Sequence, residues 1–137
     1  MLSLSISTSS PDLEHPSEAR LNVLARAVFN GEDKVAGDIG IVFADHDTVL
    51  ELNREWLDHD WNTDVISFLL EEDPIEGEVY IDVETAAERH AEFGTTSIEE
   101  LERYVVHGLL HLCGHDDATD KQREAMRLLE DRYLASA

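Results

Sequence analysis

The sequence predicts a single α+β domain over residues 1–137, a small mixed β-sheet packed against helices. Three observations carry this expectation. The chain has 137 residues, close to the roughly 150 of one domain. Hydrophobic residues make up 42% of it, enough for one core without covalent staples. Apolar residues recur first at every second position and then at every third or fourth, in the order β-α-β-α-β-β-α-α-α, with no repeat or low-complexity linker between segments.

Leu2 to Ser7 alternates apolar and polar residues, as a first strand does. Ser17 to Asn30 carries Leu21, Leu24, Ala25, Val28 and Phe29, the stripe of an amphipathic helix, and Asn30-Gly31 ends it. Ile39, Ile41 and Phe43 alternate as a second strand. Asp45 or Asp47 caps a helix that uses Val49, Leu52 and Trp56. Asp58 to Asn62 reads as a polar loop. Val65 to Leu70 is a continuous apolar run, expected of a strand covered on both faces. Pro74 to Gly77 turns the chain into a short strand, Val79 to Ile81, so the two pair as a hairpin. Asp82 caps a helix stopped by Gly94. Ser97 and Glu100 form a capping box before a helix carrying Leu101, Tyr104, Val105, Gly108 and Leu112, which Gly114 ends. Thr119 and Gln122 cap a terminal helix with Met126, Leu129 and Tyr133.

Charge narrows the function. Ten Lys and Arg face 31 Asp and Glu, a net −21. Such a surface repels nucleic acid and anionic lipid at low salt, so non-specific electrostatic binding is excluded as the main activity, and neither DNA nor a membrane is an expected partner. Only Lys34 and Lys121 are lysines. An acid-rich, lysine-poor surface suits concentrated salt, where screening removes self-repulsion; it is equally the surface of an ordinary acidic protein. The single cysteine, Cys113, forms no intramolecular disulfide and fits a reducing compartment. The first residues lack the basic and long apolar regions of a secretory signal, and Val65 to Leu70 is too short to span a bilayer. A cytoplasmic protein is expected.

The chemistry concentrates in HGLLHLCGHDD, residues 107–117. His107 and His111 are four apart, about 40° around a helix axis, so both imidazoles reach one ion. A third ligand from His115, Asp116 or Asp117 after Gly114 would complete a site with an open fourth position, the catalytic arrangement of zinc. Gly108 stands where H-E-x-x-H carries its glutamate, which speaks against a peptidase.

HGLLHLCGHDD, preceded by LN at Leu52-Asn53, TDVISF at Thr63 to Phe68 and GEVYID at Gly77 to Asp82, resembles the YbeY family of bacterial endoribonucleases, in order from about Ile39 to Tyr133. The resemblance implies a zincin-like α+β fold with one zinc ion per chain. It also implies a single-strand-specific, metal-dependent endoribonuclease of 16S rRNA 3′-end maturation and 70S ribosome quality control, with ribosomal RNA and the ribosome as partners. The family pattern is H-G-x-L-H-L-x-G-Y-D-H. In register its first two histidines are His107 and His111, its third falls on Asp117, and its tyrosine on His115. Aspartate is a legitimate zinc ligand. His115 is the alternative third ligand, but it follows His111 by only four residues across a turning glycine, whereas position 117 lets the chain double back. An arginine usual in the family falls on Leu57; Arg54, off register nearby, is the remaining candidate substrate contact.

Other residues have blander readings. Cys113 lies on a different helix face from His111 and reads as a buried thiol. Asp64 and Ser67 suit either orienting a ligand or water, or capping and core hydrogen bonds. His46, His59 and His90 lack partners at ligand spacing and read as surface residues. Trp56 and Trp61 read as structural, although Trp61 could stack on a base. Catalysis is expected through His107, His111 and their metal, with no residue standing out as general base. Two rival functions remain: a non-catalytic, metal-stabilised ribosome assembly factor, and a metal-dependent hydrolase of another substrate.

Overall fold

A computed structural model describes residues 2–56 and 64–136. Strands β1 (Ser3–Thr8), β2 (Ala36–Ala44), β3 (Val65–Glu72) and β4 (Ile75–Asp82) form one sheet in the order β1-β2-β4-β3. β1, β2 and β4 run parallel, and β3 is antiparallel to β4. Helices α1 (Glu18–Gly31), α2 (His46–Trp56), α3 (Val83–Arg89), α4 (Ser97–Leu112) and α5 (Asp120–Ser136) surround it. The result is the expected α+β architecture with a mixed sheet.

Strand alternation sorts side chains into two cores. Ile39, Ile41, Phe43, Val79 and Ile81 face α1 and α4 in the main core, where the predicted α1 stripe is buried in full. Ile66, Phe68 and Tyr80 point to the opposite face, where Val49 and Leu52 of α2 cover them. The helix bearing the histidines thus lies on one face of β3 and β4, and α2 on the other.

Several expectations need correction. β3 is an edge strand, and α2 and α4 shield only its first half; Leu69 and Leu70 are 45% and 64% exposed. The hairpin turn is confined to Asp73-Pro74, and β4 already begins at Ile75. The capping box before α4 is Thr96 with Glu99, not Ser97 with Glu100. Glu100 is instead buried, where it accepts the Thr95 hydroxyl at 3.1 Å. The helix begun by Asp82 gives way at His90 to a 3-10 turn that ends at Gly94, whose φ is +67°. Trp56 is 66% exposed at the end of α2 and belongs to neither core. Asp45, not Asp47, caps α2, accepting the Thr48 N–H at 2.8 Å. The Thr119–Gln122 box before α5 forms as read, with reciprocal bonds of 3.0 and 3.1 Å. The polar loop over Asp58 to Asn62, with Leu57, His59, Trp61 and Thr63, lies outside the described residues.

Candidate metal centre

Close packing of α4 on the sheet positions the site. Gly108 faces β3 and β4 so tightly that a Cβ there would lie 2.4 Å from Val79 Cγ1. Ser67 clamps the same contact, its hydroxyl donating to the Gly108 carbonyl at 3.0 Å. The glycine is therefore a packing residue, and Ser67 a helix–sheet tether. One turn apart on α4, His107 and His111 bring their Nε2 atoms to 3.0 Å.

After α4, Gly114 adopts φ +103°, a left-handed turn that suits glycine. The returning chain places Asp117 Oδ2 3.2 Å from His107 Nε2 and 3.5 Å from His111 Nε2. Arg123 on α5 holds this loop by donating to the carbonyls of Asp117 and Ala118 at 3.2 and 3.1 Å. Tetrahedral ligands at zinc distances are separated by about 3.3–3.4 Å, and the separations of 3.0, 3.2 and 3.5 Å bracket that value. His107, His111 and Asp117 could thus hold a metal ion.

Glu130 completes the geometry. Buried on α5, it accepts the His107 Nδ1–H at 2.7 Å and an Arg103 N–H at 2.9 Å. That hydrogen bond fixes the tautomer that turns the Nε2 lone pair towards Asp117 and His111. Burial alone would lower the His107 pKa, but the Glu130 carboxylate outweighs it and holds the imidazole above its ordinary value. Sequence reading missed Glu130. Its signal was a glutamate four after Met126 and three before Tyr133, on the buried stripe of an otherwise solvated helix.

His115 turns elsewhere. Its Nε2 meets Glu32, at the end of α1, which also accepts the Tyr133 hydroxyl. Burial raises the Glu32 pKa, yet the bonds from Tyr133 and His115 hold it below the usual carboxylate value. This cluster ties α1, α5 and the loop after α4 together, drawing His115 away from the other two imidazoles. Cys113 packs against the main core with its thiol pushed up to about 12, first by burial, as an inert thiol should be. His46 and His90, read as surface residues without partners at ligand spacing, are half-buried and hydrogen-bonded: His46 Nδ1 bonds Asp82 at 2.7 Å, and His90 Nδ1 the Thr95 carbonyl at 2.8 Å. Arg54 sits in the last turn of α2 and does not line the cavity beside His107, a space of about 250 Å³. Asp64 does line it.

The endoribonuclease YbeY family model matches residues 6–137. The chain belongs to the YbeY family. Among relatives named endoribonuclease YbeY, that of Salinibacter ruber is 47% identical, covering 88% of this chain and 86% of its own. That of Bacteroides fragilis is 38% identical over 80% of each chain. The solution structure of TM1509 from Thermotoga maritima superposes with a TM-score of 0.64 at 28% identity, covering 96% of this chain and 87% of that one. The zincin-like expectation for this YbeY-family fold agrees with that neighbour.

Proposed function

We propose that this chain is a zinc-dependent endoribonuclease cutting single-stranded RNA, acting in the cytoplasm on ribosomal RNA in 16S 3′-end maturation and 70S quality control. The observation that carries the proposal is the His107–His111–Asp117 group, its donor atoms close enough to share one ion, in a chain of the YbeY family. The curated relatives' name, endoribonuclease, supports the reaction class.

His107, His111 and Asp117 are the proposed ligands, and His115 is not one. A divalent ion held by these three residues would supply Lewis acidity to polarise a phosphoryl oxygen and acidify water. The protein's own part is positional. Glu130 holds the Nδ1 proton of His107 so that Nε2 stays a lone-pair donor. Arg123 fixes the loop that presents Asp117. Asp64, lining the same cavity, offers a carboxylate to orient a ligand or a water. Arg54 keeps no role in this scheme.

Zinc-replete protein should cleave a defined single-stranded RNA, and a His107→Ala/His111→Ala protein should not. A folded wild type that carries zinc but leaves RNA intact would favour the non-catalytic assembly factor. Cleavage of casein instead would favour a peptidase.

A further inference from the structure

Arg103, His107 and His111 stand at four-residue spacing along one stripe of α4, and the first two share a partner on α5. The Glu130 carboxylate has one oxygen for each. Its Oε2 accepts the His107 Nδ1–H at 2.7 Å, and its Oε1 accepts from Arg103 Nη1 at 2.9 Å. The other terminal nitrogen of Arg103 donates to Asp131 Oδ1 at 2.5 Å. One guanidinium thus spans two consecutive carboxylates of α5.

Burial makes this arrangement demanding. The Glu130 side chain is 7% exposed and that of Arg103 20%, whereas Asp131 is 56% exposed. A carboxylate withdrawn from water is tolerated only where donors satisfy its oxygens, and charged donors satisfy them best. Burial would lower the Arg103 pKa, but the bonds to Asp131 and then Glu130 outweigh it and raise the value, so the guanidinium stays charged.

The planar fork explains why an arginine stands here. It holds two acceptors in fixed directions, which a compact ammonium on a flexible stem does not. Asp131, nearer to water, anchors the outer arm, and the inner arm sets the orientation of Glu130. Glu130 also lines the cavity beside His107. An Oε1 without its donor would turn towards water there and draw Oε2 away from the ring.

We propose that Arg103 is a positioning residue for the metal group: through Glu130 it fixes the His107 ring so that Nε2 faces the position shared with His111 and Asp117. Its effect on an ion rests on the metal reading of those three residues, whereas its hold on the ring does not. Asp131 contributes at one further remove, by steadying the guanidinium.

The test uses full-length wild type, Arg103→Met, Arg103→Lys, Glu130→Gln and the Arg103→Met/Glu130→Gln double variant. Zinc affinity is read by chelator competition. Nitrogen NMR of ring-labelled, metal-free protein reads the His107 tautomer, above the raised pKa of that imidazole. Arg103→Met should bind zinc about tenfold more weakly, and the Nδ1–H form of His107 should give way to a mixture of tautomers. Arg103→Lys should fall between, because its ammonium still reaches Glu130 but cannot also hold Asp131 in the same geometry. In the Glu130→Gln background, the change to methionine should alter zinc affinity by less than about twofold, since its route to the ring is already gone. Wild-type affinity in Arg103→Met overturns the proposal. So does a loss that persists undiminished in the Glu130→Gln background, which damage to helix packing alone would give. Should Arg103→Met not fold, Arg103→Lys replaces it in both backgrounds with a smaller expected loss, and equal affinity again overturns the proposal. A wild type that binds no zinc removes the metal reading alone. The ring measurement then decides: an unchanged Nδ1–H signal in Arg103→Met overturns the hold on His107, and a lost one upholds it.

Discussion

Gly108→Ala tests whether the glycine between the two histidines serves packing. The added methyl would lie 2.4 Å from Val79 Cγ1, 3.1 Å from Val65 Cγ1 and 3.3 Å from Ser67 Oγ. Relaxed carbon contacts sit at about 3.5–4.0 Å, so α4 must lift from the sheet by about 1 Å. Val79 is fully buried and has no open space to swing into. Overpacking costs about 1–3 kcal/mol, and alanine returns about 1 kcal/mol of helix propensity. The 2.4 Å approach to a fully buried side chain puts the cost in the upper half of that range, about 2–3 kcal/mol, so the net loss is about 1–2 kcal/mol, a fall of roughly 3–8 °C in Tm. His107 and His111 ride on the displaced helix, whereas Arg123 ties the Asp117 loop to α5. Zinc affinity should therefore fall by about tenfold or more. Thermal melts of metal-free protein, followed by zinc titration against a chromogenic chelator, read both effects. A variant that melts at or above the wild-type temperature and keeps its zinc affinity would refute the packing argument.

Other expected outcomes follow from the same contacts. Glu130→Gln should weaken zinc binding by about 10–100-fold with the fold retained, because Arg103 keeps Asp131 at 2.5 Å; equal affinity by chelator competition would deny it an orienting role. Asp117→Ala should lose the metal, Asp117→His should regain it, and His115→Ala should keep it while melting lower through loss of the Glu32 contact; elemental analysis showing the reverse would move the third ligand. The His46 pKa is raised chiefly by its bond to Asp82, so that pair stabilises the fold below about pH 6.5 and loses its effect as pH rises through the folded-state value. The melting difference between wild type and His46→Asn should thus shrink from pH 6 to pH 8, and a growing difference would contradict the linkage. With a net charge of −21, the melting temperature should rise from low to molar potassium chloride, and a flat or falling profile would end the high-salt reading.

Legibility followed the range of the interactions. Elements whose apolar period is local were readable: the α1 stripe, the alternation of β2 and the Thr119–Gln122 cap all stand where they were read. The order of strands was not, because β3 has the apolar run of a central strand but sits at the edge, with Leu69 and Leu70 in solvent. Overlapping T-x-x-E and S-x-x-E patterns at 96–100 defeated the capping assignment; only burial of Glu100 separates them. At the site, His107 and His111 were legible from helical spacing alone. Glu130 acts across the α4–α5 interface, at a distance in sequence that no local pattern carries, and Arg123 bonds loop carbonyls five and six residues back, which its side chain alone does not announce. Gly108 was legible as a missing glutamate but not as a contact, since Val79 comes from another element.

X-ray absorption at the zinc edge, on protein reconstituted with zinc and checked by elemental analysis, tests the metal centre directly. About one zinc ion per chain is expected, with two imidazole nitrogens and one carboxylate oxygen at about 2.0–2.2 Å and no sulfur. The oxygen contribution should fall in Asp117→Ala while His115→Ala leaves the spectrum unchanged. No bound zinc, a sulfur shell from Cys113, or a third imidazole that disappears with His115 would contradict it.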